Sequence, residues 1–369
     1  MHLEKLELTN YRNYGGATFE FSPDVNIIIG GNAQGKTNIL EAVYFLSAGN
    51  SHRAGSDALL VKQGENLASI RSEVDRDGRR LSLEVFISMN EKKRIKVGGV
   101  EKYRFSDLLG NLHAVIFSPE DLQIVKGGPE RRRAFLDDTI VQISPTYHYW
   151  RRKYDRVLRQ RNILLKTMNR NVDIESLELW DRNLAEVGTK VIVNRIHVTE
   201  RLSQLSAEAH KKITKGAETL ELNYICRVSE GGVEGPQEIE RRFIKELIRR
   251  RKEELDRKIT LVGPHRDDLM MNINGLDVRS FGSQGQQRTV ALSLKFGQMK
   301  LIEQEVKAKP LLLLDDVMSE LDEDRQSYLM QMVRDGNQVF ITATHLDSFA
   351  PADVAGHNIM RIKGGKLVD

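Results

Sequence analysis

An α/β fold in two lobes is what the sequence predicts, and three observations point to it. The 369 residues suggest about two domains of roughly 150 residues each. Strand-length apolar runs alternate with helix-periodic segments toward both ends of the chain, whereas the middle carries helical spacing and basic charge. Residues 30–37 read GGNAQGKT, which fits G-x-x-x-x-G-K-[ST] and lies between a strand-like run and an amphipathic one. The predicted class is a phosphate-loop nucleotide-binding fold. A discontinuous α/β lobe, 1–118 and 259–369, holds an inserted, mostly helical and basic lobe, 119–258.

Each element follows from local pattern. HLEKLEL, TFEF and VNIII read as strands, and the alternating runs of SEVDRDGRRLSLEVFI flank Asp77-Gly78, a hairpin signal. KRIKVGGVEKY suggests a second hairpin at Gly98-Gly99, and HAVIF at 113–117 a buried strand. The inserted lobe has one strand-like stretch, LELNYICRV. LMMNI, PLLLLD and QVFITAT read as strands, and ALSLKFGQMKLIEQE and EDRQSYLMQMVRD as helices. No internal repeat is evident, and no heptad run is long enough for an extended coiled coil.

Composition excludes several classes. A formal charge of +4 is mild, so a nucleic-acid surface requires local clustering. One cysteine, Cys226, permits neither a disulfide framework nor a cysteine-rich zinc site. The N-terminus, MHLEKLELTNYR, is charged and alternating rather than a signal peptide. No apolar run approaches the ~20 residues of a membrane span. The expectation is a soluble, cytoplasmic protein without membrane partners.

The phosphate loop supplies the first site. Glycines let the backbone curl so that its N–H groups converge on phosphate oxygens. Gly30, Gly31, Asn32, Ala33, Gln34, Gly35, Lys36, Thr37 and Asn38 are the candidate nucleotide contacts. Lys36 would reach the β- and γ-phosphates, and the Thr37 hydroxyl would ligate Mg²⁺. Further along, Leu311–Leu314 ends in Asp315-Asp316, placing carboxylates at the C-terminal edge of a sheet, where α/β folds bind ligands. Asp315 is the candidate metal holder and Asp316 the candidate to orient or deprotonate an attacking water; an N-capping aspartate pair is the alternative. His345 follows the next strand and could hydrogen-bond a γ-phosphate or the water, or be structural.

A second polar tip, Ser283-Gln284-Gly285-Gln286-Gln287, opens a helix some 250 residues after the loop. A helix N-terminus suits an anion. The order of the loop, this tip, Asp315-Asp316, SELD at 319–322 and His345 resembles the ABC-type ATPases. In that superfamily two heads pack head-to-tail, and each tip caps the γ-phosphate held by the other. The start LEKLELTNYRNY, the loop with NSHR after it, FSPEDL, GGPERRRAFLD, LVGPHRDDL, GSQGQQR and LLLLDDVMSELD together resemble the RecF family, over residues 1 to about 345.

That resemblance implies an ATP- and Mg²⁺-dependent homodimer with slow, DNA-stimulated ATPase activity in recombinational repair and replication-fork maintenance. It implies binding to duplex and gapped DNA, with RecR and RecO as partners in loading RecA. It also implies a metal-binding Gln loop, where Gln123 lies in about the right region. Asp316 stands where most ABC ATPases carry Glu, which sets its carboxylate about 1.5 Å further back and suggests poor general-base geometry.

For DNA, residues 151–170 hold eight Lys/Arg and one Asp. Arg152, Arg156 and Arg159 share a helix face, and Arg151 and Arg161 are further candidate DNA-binding residues. ERRR at 130–133 and the acid-containing segment 241–258 extend the basic set, with a solvated, salt-bridged face as the alternative. His52 and Arg53 could reach nucleotide or DNA, or serve only their loop. Rival readings are a transporter ATPase subunit, an SMC-type clamp, or a clamp that uses ATP binding only. The basic insert argues against the first, and the absence of long heptads against the second.

Overall fold

The computed structural model describes residues 1–76, 78–167, 174–228, 235–320, 322–334, 336–345 and 356–368. Contacts divide the chain into two compact units: 1–121, 212–216 and 291–369 form the first, and 122–211 and 217–290 the second.

The first unit contains two sheets. One has the strand order Lys366–Val368, Asn358–Lys363, Val25–Ile29, Val339–Ala343, Leu311–Asp315, Ala114–Phe117. Its five longer strands are parallel, and Lys366–Val368 returns antiparallel at one edge. Val25–Ile29, Leu311–Asp315 and Val339–Ala343 are buried at every position, as expected of a parallel sheet covered on both faces. The other sheet is antiparallel: Tyr14–Glu20, His2–Tyr11, Leu67–Arg76, Arg79–Ser88, Arg94–Val97, Val100–Lys102. Leu67–Arg76 alternates buried and accessible positions, so one face packs and the other meets water. The inward faces of both sheets share one apolar core with the helix Lys36–Ala48, through residues such as Leu6, Ile70, Val85, Leu40, Phe45, Leu313 and Phe340.

The expected hairpins form. Gly98 and Gly99 both take positive φ between Arg94–Val97 and Val100–Lys102. Gly78 turns the longer hairpin, whose partner residue Asp77 lies outside the described residues. The C-terminal hairpin Asn358–Lys363/Lys366–Val368 extends the parallel sheet beyond the expected strands.

The second unit is mostly helical: Pro129–Ile143, Pro145–Thr167, Ile174–Ile213 to its residue 211, and Pro236–Arg257. It also holds a three-stranded sheet, Leu276–Asp277, Asp268–Ile273, Leu220–Ile225. That sheet corrects the expected boundary at 259. Asp268–Ile273 pairs residue for residue with Leu220–Ile225, so 259–290 stays with the second unit and the first resumes at Ala291, inside the helix Gln284–Val306. No described helix is long and apolar enough to cross a membrane.

Candidate nucleotide-binding site

The parallel register brings three strand ends to one edge. Thr342 lies beside both Ile28 and Asp315, and Ala343 beside Ile29. Val339–Ala343 therefore separates the phosphate-loop strand from the aspartate strand by one strand. The loop leaves Ile29 and turns into Lys36–Ala48 through Gly35 at φ 113°, a conformation that glycine adopts without a Cβ clash. A Cβ there would also lie 2.7 Å from the Tyr14 hydroxyl.

Lys36 is 4% exposed, and its Nζ donates to the carbonyls of Gly30 at 2.7 Å and Gly31 at 3.1 Å. The ammonium is thus held inside the curl of the loop, with Gly31, Asn32 and Ala33 exposed around it. Thr37 Oγ1 donates to Asp315 Oδ1 at 3.0 Å, and Thr342 Oγ1 donates to the same oxygen at 2.8 Å. Burial raises the Asp315 pKa, opposed by those two hydroxyls. A hydroxyl and a carboxylate at this spacing are hard oxygen donors suited to Mg²⁺, which keeps most of its shell for water and phosphate.

Asp316 adopts φ 50°, unusual for a residue with a side chain, and its N–H donates to Thr342 Oγ1 at 2.9 Å. Thr342 thereby orders both aspartates, a role that no sequence motif marks beyond a hydroxyl near the end of a buried strand. Exposed His345 follows Val339–Ala343 by two residues, so it leaves the sheet between the loop strand and the aspartate strand.

Two loop residues expected to meet nucleotide turn elsewhere. The Gln34 side chain donates to the Asn32 carbonyl and accepts from the Gly364 N–H, and Asn38 Nδ2 donates to Asn13 Oδ1. Their side chains shape the loop, because its outer surface also offers polar partners. Behind the loop helix, buried Glu41 binds Arg12 through both carboxylate oxygens and accepts from Ser51. His52 packs edge-on against Tyr44, and burial pushes its pKa down to about 4, so it is neutral and serves its loop. Arg53 is exposed, 4.0 Å from Glu120.

In the second unit, Ser283 and Gln286 form a reciprocal cap. Ser283 N–H donates to Gln286 Oε1 at 2.8 Å, and Gln286 N–H to Ser283 Oγ at 3.2 Å. Gln286 Nε2 also donates to Glu218, and Gln287 is buried with its amide on the Val278 carbonyl. Gln286 and Gln287 therefore build the tip, leaving Ser283 and Gln284 exposed and Gly285 half-buried at its surface. Gln123 is exposed near the start of Leu122–Lys126 and belongs to the second unit. Of SELD, Leu321 lies outside the described residues, and Asp322 pairs with Arg325.

The candidate DNA arginines separate cleanly. Arg152, Arg156 and Arg159 are exposed on Pro145–Thr167, and none is ion-paired among the described residues. Arg151 binds Asp137 and Asp155. Arg161 is fully buried and binds Asp181, Glu254 and Thr260, which removes it from any DNA-facing set. Of ERRR, Arg132 is buried in a two-pronged pair with Asp268, and Arg133 donates to the Asp267 carbonyl. On Pro236–Arg257 the acids are taken up by pairs such as Arg241 and Arg242 with Glu238, Arg249 with Glu246 and Arg250 with Glu253. That face is the salt-bridged alternative.

Residues 2–364 match the family model described as the RecF/RecN/SMC N terminal domain. The chain is 41% identical to the DNA replication and repair protein RecF of Acetivibrio thermocellus, over 99% of each chain. It is 40% identical to that of Bacillus subtilis over the full length of both. A solved structure of the recombination mediator protein RecF-ATP in the RecFOR pathway is 37% identical, with a TM-score of 0.92, covering 100% of this chain and 97% of the other. An Smc head domain from Pyrococcus furiosus, 16% identical at a TM-score of 0.53, shares the fold. The chain therefore belongs to the RecF family.

Proposed function

We propose that the chain is an ATP-dependent DNA-binding protein of recombinational repair. Its phosphate loop takes ATP, and two copies close head-to-tail so that Ser283 and Gly285 of each meet the γ-phosphate held by the other. The observation that carries this reading is the constellation at one sheet edge: Lys36 inside the loop, and Thr37 and Thr342 on one oxygen of buried Asp315. Thr37 and Asp315 would hold Mg²⁺, which when bound offsets charge on the phosphates. Asp316 and His345 flank the place where an attacking water would stand, and the short reach of Asp316 fits slow hydrolysis.

Arg152, Arg156 and Arg159 supply contacts to DNA phosphates with little base specificity. The family resemblance supports action with RecR and RecO toward RecA loading. Sedimentation velocity with and without ATP, on gapped, duplex and single-stranded DNA, tests the reading. It predicts an ATP-induced dimer that co-sediments with gapped and duplex DNA. ATP-independent mass and DNA binding would refute it.

A further inference from the structure

The outer side of the phosphate loop is gripped by the C-terminal hairpin. The turn between Asn358–Lys363 and Lys366–Val368 is Gly364-Gly365, with φ of 59° and 70°. Two successive positive φ values define the tight hairpin turn that glycine pairs favour. Both turn N–H groups are spent on one loop residue. Gly364 N–H donates to Gln34 Oε1 at 2.6 Å, and Gly365 N–H to the Gln34 carbonyl at 3.1 Å. Asn13 Nδ2 donates to that same carbonyl at 2.9 Å, and the Tyr14 hydroxyl to the next one, Gly35 O, at 3.0 Å. The hairpin also crowds the loop's first residue, where a Cβ on Gly30 would lie 2.4 Å from the Ile362 carbonyl.

These contacts set the direction of the loop's donors. A trans peptide is planar, so the C=O of one residue and the N–H of the next point opposite ways. Holding the Gln34 carbonyl from outside turns the Gly35 N–H away from the hairpin, whereas the Gly35 carbonyl is fixed separately by the Tyr14 hydroxyl and the Asn38 and Ile39 N–H groups. We infer that the Gly364-Gly365 turn is a positioning element for nucleotide: without touching ATP, it pre-sets the Gly35 N–H of the loop toward the phosphates. This inference rests on the phosphate loop being the ATP site. Gly364 and Gly365 lie outside every motif that defines the site, and neither needs a side chain to act.

The test is equilibrium binding of a fluorescent ATP analogue to the full chain. Gly365→Ala introduces a Cβ 2.9 Å from the Asn13 carbonyl at a left-handed φ, so the turn must withdraw. The expected result is an affinity about ten-fold weaker, the scale of one or two lost hydrogen bonds. The melting temperature without nucleotide should stay near that of the wild type, and turnover at saturating ATP should be retained. Asn13→Ala acts on the same carbonyl, so the double variant should lose less than the product of the two single losses.

Unchanged affinity in Gly365→Ala would overturn the inference. So would a loss that multiplies independently with that of Asn13→Ala, or one explained by a matching fall in melting temperature. Absence of ATP binding in the wild type would instead defeat the underlying nucleotide reading.

Discussion

The phosphate loop and the ion network of the second unit are both dense in charge, yet they are satisfied in different ways. In the second unit, Arg195 is fully buried and holds Asp137 through two hydrogen bonds, at 2.8 and 2.9 Å, while its Nη1 donates to the Pro264 carbonyl at 2.6 Å. Tyr147 and Arg151 complete Asp137, Tyr224 donates to Asp267, and His265 meets Tyr154 and the Thr260 carbonyl. Burial works against the Asp137 charge, but Arg195 and its neighbours outweigh it and hold its pKa below the usual carboxylate range. The network closes on itself. At the loop, Lys36 rests on two backbone carbonyls, and Asp315 collects the hydroxyls of Thr37 and Thr342. Charge whose partners are all internal encodes architecture; charge held by backbone and hydroxyls at an open sheet edge is available to a ligand.

The largest effect should come from Lys36→Met, which removes the cation inside the loop. ATP affinity should fall at least about 100-fold, the scale of losing a charge-assisted contact in a desolvated site. Near-wild-type binding of a fluorescent analogue would erase the contrast. Arg195→Ala should act on stability instead, at about 3 kcal/mol, because it empties a fully buried position and takes the two-pronged partner from half-buried Asp137. Chemical denaturation should report a destabilised second unit, and a change below about 1 kcal/mol would show that the network is dispensable.

Changing Arg152, Arg156 and Arg159 together to Ala should weaken DNA binding alike for unrelated duplex sequences. The slope of log K against log[salt] should flatten by about 0.9 per lost phosphate contact, with ATP affinity spared. An unaltered slope would make the stripe a solvated face. The smallest effect concerns pH. Burial pushes Asp267 up to about 6, against Tyr224 and Arg195. A carboxyl with a raised folded pKa keeps its proton longer in the folded state, so stability falls as pH rises from about 4 through 6. Asp267→Asn should flatten that decline in a melting series; an identical slope would show that Asp267 does not titrate there.

Much of the site was legible because its chemistry needs particular residue types in sequence: glycines, Lys36 and Thr37 in one loop, and two aspartates after four leucines. The strands that carry them are marked by apolar runs alone. The arginines were less legible. Arg159 and Arg161 stand two residues apart, about 200° around a helix, so one meets water and the other Asp181 and Glu254. Composition is blind to that difference, and to the Asp268 that claims Arg132 from 136 residues away. The boundary at 259 failed for a related reason: the partner of Asp268–Ile273 is a strand some 45 residues earlier, and pairing choice is not written in either run. Gly364-Gly365 between NIMRIK and KLV does carry a turn signal. Its contact with Gln34, by contrast, depends on the sheet order.

The central claim is that the loop's spare capacity is completed by a second copy's helix tip. Sedimentation velocity of Ser283→Arg at saturating ATP, beside the wild type, tests it most directly. The lost cap at Ser283 costs about 1 kcal/mol, too little to unfold the second unit. The account predicts a wild-type dimer, and a variant that stays monomeric while binding ATP normally through Lys36, Thr37 and Asp315. A variant dimer fraction equal to that of the wild type would contradict it.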